Sequence, residues 1–214
     1  MPRLTPATQA ARREHIVEAA ERCFARAGFH RTTMHDICQE AGVSAGALYV
    51  YFPSKEALIA GISERDRAEF AKRLELLAAA PDFLAALSML GEQYFVDEPA
   101  HKRLMCIEIG VESTRNPQVG EIYRSVDTFV LASFEKLFQR LKDEGRIAPS
   151  LDIPTLARVF ITISDGLFWR RAIDPAFDGK AVLPAITALI GAMLNPTTPS
   201  SANTKPQSAA EAAS

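Results

Sequence analysis

The 214-residue chain predicts an all-α fold. Three observations predict it. Apolar residues recur at helical spacing along most of its length. No segment alternates apolar and polar residues as a half-buried strand does. The interruptions carry turn chemistry, at Gly28, Gly42, Pro53, Glu98-Pro99, Asn116-Pro117, Asp143 to Pro149 and Asp174-Pro175. With 48% hydrophobic and 23% charged residues, the composition suits a soluble globular protein with an adequate core.

The first helix is expected from about Thr8 to Ala27, with Ile16, Ala19, Ala20, Cys23 and Phe24 on one face and Gly28 ending it. Thr33 opens the second. Its side chain is placed to cap free amides, and Asp36 falls in the first turn. Ile37, Cys38 and Ala41 share a face, and Gly42 stands where a left-handed cap conformation penalises any larger residue. Val43 fastens the turn, and Ser44 caps a third helix reaching about Val50. That helix begins with Ala45, Gly46 and Ala47. A glycine there costs up to ~1 kcal/mol relative to alanine, so close approach to another surface explains it better than stability does. Leu48 and Phe52 are expected to face inward, while Tyr49 and Tyr51 offer ring surface and a hydroxyl. Pro53 stops the element, and Ser54 caps the next. Lys55 opposes that helix's dipole, which a phosphate partner would explain. Two short helices around a glycine turn follow the order of a helix-turn-helix, whose second helix enters the major groove of DNA.

A long helix is expected from Ser54 to about Ala79. Further helices are expected at roughly 81–97, 100–114, 117–144, 153–173 and 179–194. The last two are apolar on more than one side, through Phe160, Ile163 and Leu167 on one and Ile186, Leu189, Ile190 and Met193 on the other. Such helices call for a partner. Two reading heads must also stand ~34 Å apart to enter adjacent grooves. A homodimer joined through a four-helix bundle meets both demands. Residues 196–214, PTTPSSANTKPQSAAEAAS, are poor in apolar groups and expected to be disordered.

Other chemistry is disfavoured. Cys23, Cys38 and Cys106 are odd in number, widely spaced and set among apolar neighbours, as reduced buried thiols are. No ligand spacing suggests a metal, and no nucleophile–base pair or phosphate loop suggests an enzyme or cofactor. No run approaches the ~20 apolar residues of a membrane helix, and MPRLTPATQAARRE lacks a signal-peptide core. A cytoplasmic location without membrane contact is expected. The net charge of −2 and pI near 6.1 would ordinarily argue against a nucleic-acid binder. Arg3, Arg12, Arg13, Arg31 and Lys55 nevertheless gather positive charge near the helix-turn-helix.

The stretch TTMHDICQEAGVSAGALYVYFPSKEALI, Thr32 to Ile59, resembles the DNA-binding signature of the TetR/AcrR family of one-component transcriptional regulators. The pattern is matched from Thr33 to Leu58 without a gap, Cys38 replacing a more usual alanine. The resemblance implies a DNA-binding domain over 1–56, with an arm of about 1–8, and a ligand-binding and dimerisation domain over 57–195. It places double-stranded operator DNA against Thr33, Met34 and His35 and against a recognition helix holding Ser44, Ala45, Gly46 and Ala47. Tyr49 and Lys55 become backbone contacts, with Tyr51 either another contact or a packing residue. It also implies a pocket for a small apolar or amphipathic effector. Candidate lining residues are Phe83, Leu87, Tyr94, Met105, Phe129 and Trp169, with Glu108, Glu112 and Asp165 as orienting groups, although a stripe of aromatics and methionine is often core. Glu108 and Glu112 share one helix face; inward they favour a cationic effector, outward they are solvated. The expected function is a repressor released from a palindromic operator by its effector, controlling an efflux pump or catabolic genes. An effector-independent accessory DNA-binding protein and an activator are the alternatives.

Overall fold

The computed structural model describes residues 5–197. Arg3, with most of the expected arm, and the 198–214 part of the expected tail lie outside the described residues. The elements are α1 (Pro6–Ala27), α2 (Met34–Ala41), α3 (Ala45–Tyr51), α4 (Lys55–Ala79), α5 (Phe83–Glu92), α6 (Ala100–Glu112), α7 (Pro117–Asp143), α8 (Ile153–Ile173) and α9 (Gly179–Leu194). A π-helical turn, Gln93–Asp97, prolongs α5. Among the described residues there is no strand, only an isolated bridge between Ile147 and Pro196. Pro196 and Thr197, expected in a disordered tail, are therefore held, and the Thr197 amide donates to Arg146 O at 3.0 Å.

Short polar side chains set the helix starts. Thr5, Thr33, Ser44, Ser54, Asp82, Asn116, Asp152 and Asp178 each accept a first-turn amide. Among the described helices α6 alone, entered through Pro99, has no capping side chain. The first helix starts two residues earlier than expected because Pro6 sits just inside a Thr5 cap. No described helix is long and apolar enough to cross a membrane.

Two hydrophobic clusters hold the helices together. The first joins Ile16, Phe24, Ile37, Leu48, Phe52 and Ile62 of α1 to α4 and the α3–α4 link. It also takes in Met105 and Ile109 from α6 and Val119 from α7. The head is thus packed directly onto the second part of the chain. The second cluster is built by α4, α5, α7, α8 and α9, with the Phe134 and Phe160 rings 4.6 Å apart at its centre. Phe83 and Leu87 are buried in this cluster and Met105 in the first, so these three pocket candidates are core residues. Phe160 and Ile190, expected at a dimer face, are also buried in the second cluster, and Leu167 is buried too.

Candidate nucleic-acid interface

The start of α2 is a reciprocal cap. Thr33 Oγ1 accepts the Asp36 amide at 3.1 Å, and Asp36 Oδ2 accepts the Thr33 amide at 2.8 Å. The Thr33 side chain and amide hold the Asp36 carboxyl below the usual carboxylate range. At the other end Gly42 has φ 60° and ψ 33°. An added Cβ would meet nothing within 4 Å there, so the left-handed backbone itself demands the glycine. Val43 N–H then closes onto Cys38 O at 3.0 Å, and Ser44 Oγ accepts the Ala47 amide at 3.3 Å to start α3.

Leu48 fixes the inner side of α3 and is fully buried. Ala45, Gly46, Tyr49 and Val50 lie exposed on the other side, Val50 at 80%. Their i, i+1, i+4, i+5 spacing makes one stripe. No protein atom lies within 4 Å of where a Gly46 Cβ would stand, so nothing inside the chain explains that glycine. Ser44 is exposed and Ala47 half-buried. Tyr51 packs against the head cluster, whereas Tyr49 is solvent-facing. Thr33 is committed to its cap, Met34 packs partly inward, and His35 is exposed with its ring 3.0 Å from the Gln39 amide.

Lys55 is engaged within the chain. Its ammonium donates to Phe29 O at 2.5 Å and sits 4.3 Å above the Phe29 ring. The turn it grips, residues 28–30, is also held from α6. Glu108 Oε1 accepts the Phe29 amide at 2.8 Å, and Glu112 pairs with His30 at 2.7 Å. The Glu112 side chain is only 4% exposed. The two carboxylates are thus turned onto the reading head. Gly28, at φ 78°, is required here, because a Cβ would stand 2.6 Å from Glu108 Oε1.

The other pocket candidates separate. Tyr94 and Tyr123 both feel the charge of Asp165 and of Cys106. All four are open by surface area, yet desolvation raises each of them, the Cys106 thiol to about 12. Cys106 is therefore not the buried thiol the sequence suggested, and at that pKa it stays a protonated, poorly nucleophilic thiol. The Tyr94 ring lies 5.6 Å from Phe168. Phe129 is half-buried between Phe70 and the Arg67 guanidinium. Trp169 is exposed on α8 with Val159 and Ile173, and Leu189 is exposed on α9. Ile163, Ile186 and Met193 are partly buried. Among the described residues no group of histidine, cysteine and carboxylate side chains is arranged to hold a metal.

Val50 and Cys106 were not singled out as contact residues from the sequence. The signal for Val50 was its place beside Tyr49 on a short helix; the exposure of Cys106 comes only from tertiary packing.

Residues 16–62 match the family described as bacterial regulatory proteins, tetR family. The chain is similar to the HTH-type transcriptional repressor Rv1474c of Mycobacterium tuberculosis, 36% identical over 175 residues, which cover 80% of this chain and 88% of that one. Among solved structures, Salmonella enterica GusR superposes with a TM-score of 0.75 at 27% identity, over 90% of this chain and 99% of its own. A complex of SmeT with triclosan superposes with a TM-score of 0.69 at 25% identity, covering 88% of this chain and 96% of that one. SmeT is the repressor of the Stenotrophomonas maltophilia multidrug efflux pump SmeDEF. With over a third of its aligned residues shared across most of the mycobacterial repressor, the chain belongs to the TetR family of helix-turn-helix transcriptional regulators.

Proposed function

We propose that the protein is a homodimeric repressor that holds a palindromic operator with two copies of α3 and releases it when a small effector enters the second domain. The observation that carries this reading is the stripe of Ala45, Gly46, Tyr49 and Val50, presented to solvent while Leu48 anchors the helix from behind. Small residues at 44–47 let the backbone approach the groove floor. Tyr49 supplies a phosphate donor, and Val50 supplies methyl groups suited to a thymine. Thr33, Met34 and His35 sit at the amide-rich start of α2, where a phosphate is favoured. Lys55 has a different role in this reading: it braces the 28–30 turn that sets the head's orientation.

The DNA-binding part comprises residues 1–56, and 57–195 carry effector and partner. Exposed Val159, Trp169, Ile173 and Leu189 form the apolar part of the face that a second copy covers in a four-helix bundle. The effector is small, aromatic or amphipathic, seated by Tyr94 and Phe168 and oriented by Asp165 and Tyr123. The SmeT–triclosan complex supports an effector of this kind. Glu108 and Glu112 link the two parts, since a shift of α6 moves the turn they clasp.

The test is recovery of genomic fragments bound by the purified protein, followed by transcription from the adjacent promoter with the gene deleted. A recovered palindrome and increased transcription support repression. Decreased transcription makes the protein an activator, and binding that no small molecule relieves makes it an accessory DNA-binding protein.

A further inference from the structure

In the second domain α8 packs against α6, α7 and the π-helical turn, and aromatic rings are left uncovered there. Tyr94 of the turn and Tyr123 of α7 are 39% and 45% exposed. The Tyr94 ring lies 5.6 Å from the Phe168 ring of α8. Tyr123 lies along α6 where that helix has no side chain, since a Cβ on Gly110 would stand 3.8 Å from its Cε2. Asp165 comes one turn before Phe168 on α8, and Asp127 one turn after Tyr123 on α7. Each carboxylate therefore shares a helix face with one of these rings, and both are exposed.

Their charge balance is unusual for this chain. Many carboxylates elsewhere are matched by arginine: Glu14, Glu21 and Asp66 share Arg65, and Glu40 bridges Arg22 and Arg26. Among the described residues Asp127 and Asp165 enter no ion pair and accept no hydrogen bond, and the Tyr94 and Tyr123 hydroxyls donate to nothing. Desolvation and then the Asp127 charge hold the Asp165 carboxyl above the usual carboxylate range. Desolvation, then Asp165, Asp127 and Cys106, raise the Tyr123 hydroxyl. No cation is among these causes. Like charges without a counter-charge disfavour each other's ionised form, and a positive group between them reverses that. Aromatic faces attract the same charge. A neutral ring would cover the apolar surface but leave the two carboxylates uncompensated, and an anion would be repelled by both.

We infer that the effector is an amphipathic organic cation, its apolar body on Tyr94 and Phe168 and its charged group held by Asp165 and Asp127 beside Tyr123. The inference rests on the effector site proposed above and adds the charge of its occupant.

Trp169, the one tryptophan of the chain, follows Phe168 and gives a local fluorescence signal. The experiment titrates the full-length protein with three probes that share a ring: benzyltrimethylammonium, benzyl alcohol and phenylacetate. The cation should saturate one site per chain, about tenfold or more tighter than the alcohol, and phenylacetate should not saturate. Asp165→Asn should weaken the cation about tenfold and Asp127→Asn a few-fold, as loss of an ion contact in a partly covered site does, with alcohol binding unchanged. Phe168→Ala should weaken cation and alcohol alike, and Glu75→Gln, exposed on α4, should change neither. Should Asp165→Asn lose its cooperative melt, Asp127→Asn decides the matter. If alcohol or phenylacetate binds as tightly as the cation and Phe168→Ala weakens it, the effector site stands and the charge assignment falls. Equal weakening of the cation by Glu75→Gln also overturns the assignment. No saturable binding of any probe at millimolar concentration overturns the assignment and the effector site together.

Discussion

The reading head and the helices behind it differ in where their polar groups find partners. In the head, Thr33 and Asp36 cap each other, Gly42 turns the chain, Ser44 caps α3, and Lys55 closes on Phe29. In the second domain α6 begins without a capping side chain, a π-helical turn follows α5, and Arg103 Nε is buried without an acceptor. Tyr94, Cys106, Asp165, Trp169 and Leu189 all stand exposed. The head finds its partners within the chain except on one stripe of α3 and at Glu21 Oε1, which is buried without a donor. The second domain leaves several surfaces that a partner or ligand would finish. A regulator needs this division: a rigid element to read with and a less closed one to respond with.

The comparison breaks most visibly at the proposed dimer face. Leu189→Arg should yield monomers by sedimentation and lower operator affinity by roughly a hundredfold or more, because the second head no longer binds intramolecularly. A dimeric Leu189→Arg protein would place the partner surface elsewhere. Glu108→Ala should come next, leaving the Phe29 amide without an acceptor at a cost of about 1–3 kcal/mol. At ~2–4 °C per kcal/mol for a chain of this size, calorimetry should register a clear fall in Tm. An unchanged melt would mean that α6 does not hold the head.

A smaller effect sharpens the contrast between stability and reading. Gly46→Ala replaces a first-turn glycine that has open space around it, a gain of at most about 1 kcal/mol. Tm should rise by a degree or more while operator affinity falls. A rise in both would show that the groove does not approach Gly46. The smallest effect is acid sensitivity. Asp36 has a folded pKa below its unfolded value, so its contribution is present above the unfolded pKa, near ~3.9, and lost as pH falls through the folded one. Asp36→Asn should flatten that part of the stability–pH curve below about pH 4, read by circular dichroism.

The head was legible because its determinants are local. Thr33, Asp36, Gly42, Ser44 and Ser54 act within a few residues of themselves, and the helix boundaries followed from them. The contacts of Lys55, Glu108 and Glu112 within the chain were not legible because their partners are remote in sequence; Phe29 lies 79 residues from Glu108. Apolar neighbours in the chain suggested a buried Cys106, but the tertiary packing leaves it exposed. The apolar character of α8 and α9 was plain. Which residues face inward was not: Phe160 and Ile190 went to the core, leaving Trp169 and Leu189 outside. A helix apolar on two sides does not say which side its own fold will take.

The central claim is that the exposed α3 stripe reads DNA. Its most direct test compares wild type with Ala45→Trp, whose bulk falls on that stripe and away from the core. Both proteins would be used to recover genomic fragments at near-physiological salt, with thermal melts run in parallel. The account predicts a palindrome enriched by the wild type, lost with Ala45→Trp, and superimposable melts. Equal enrichment by both proteins would contradict it.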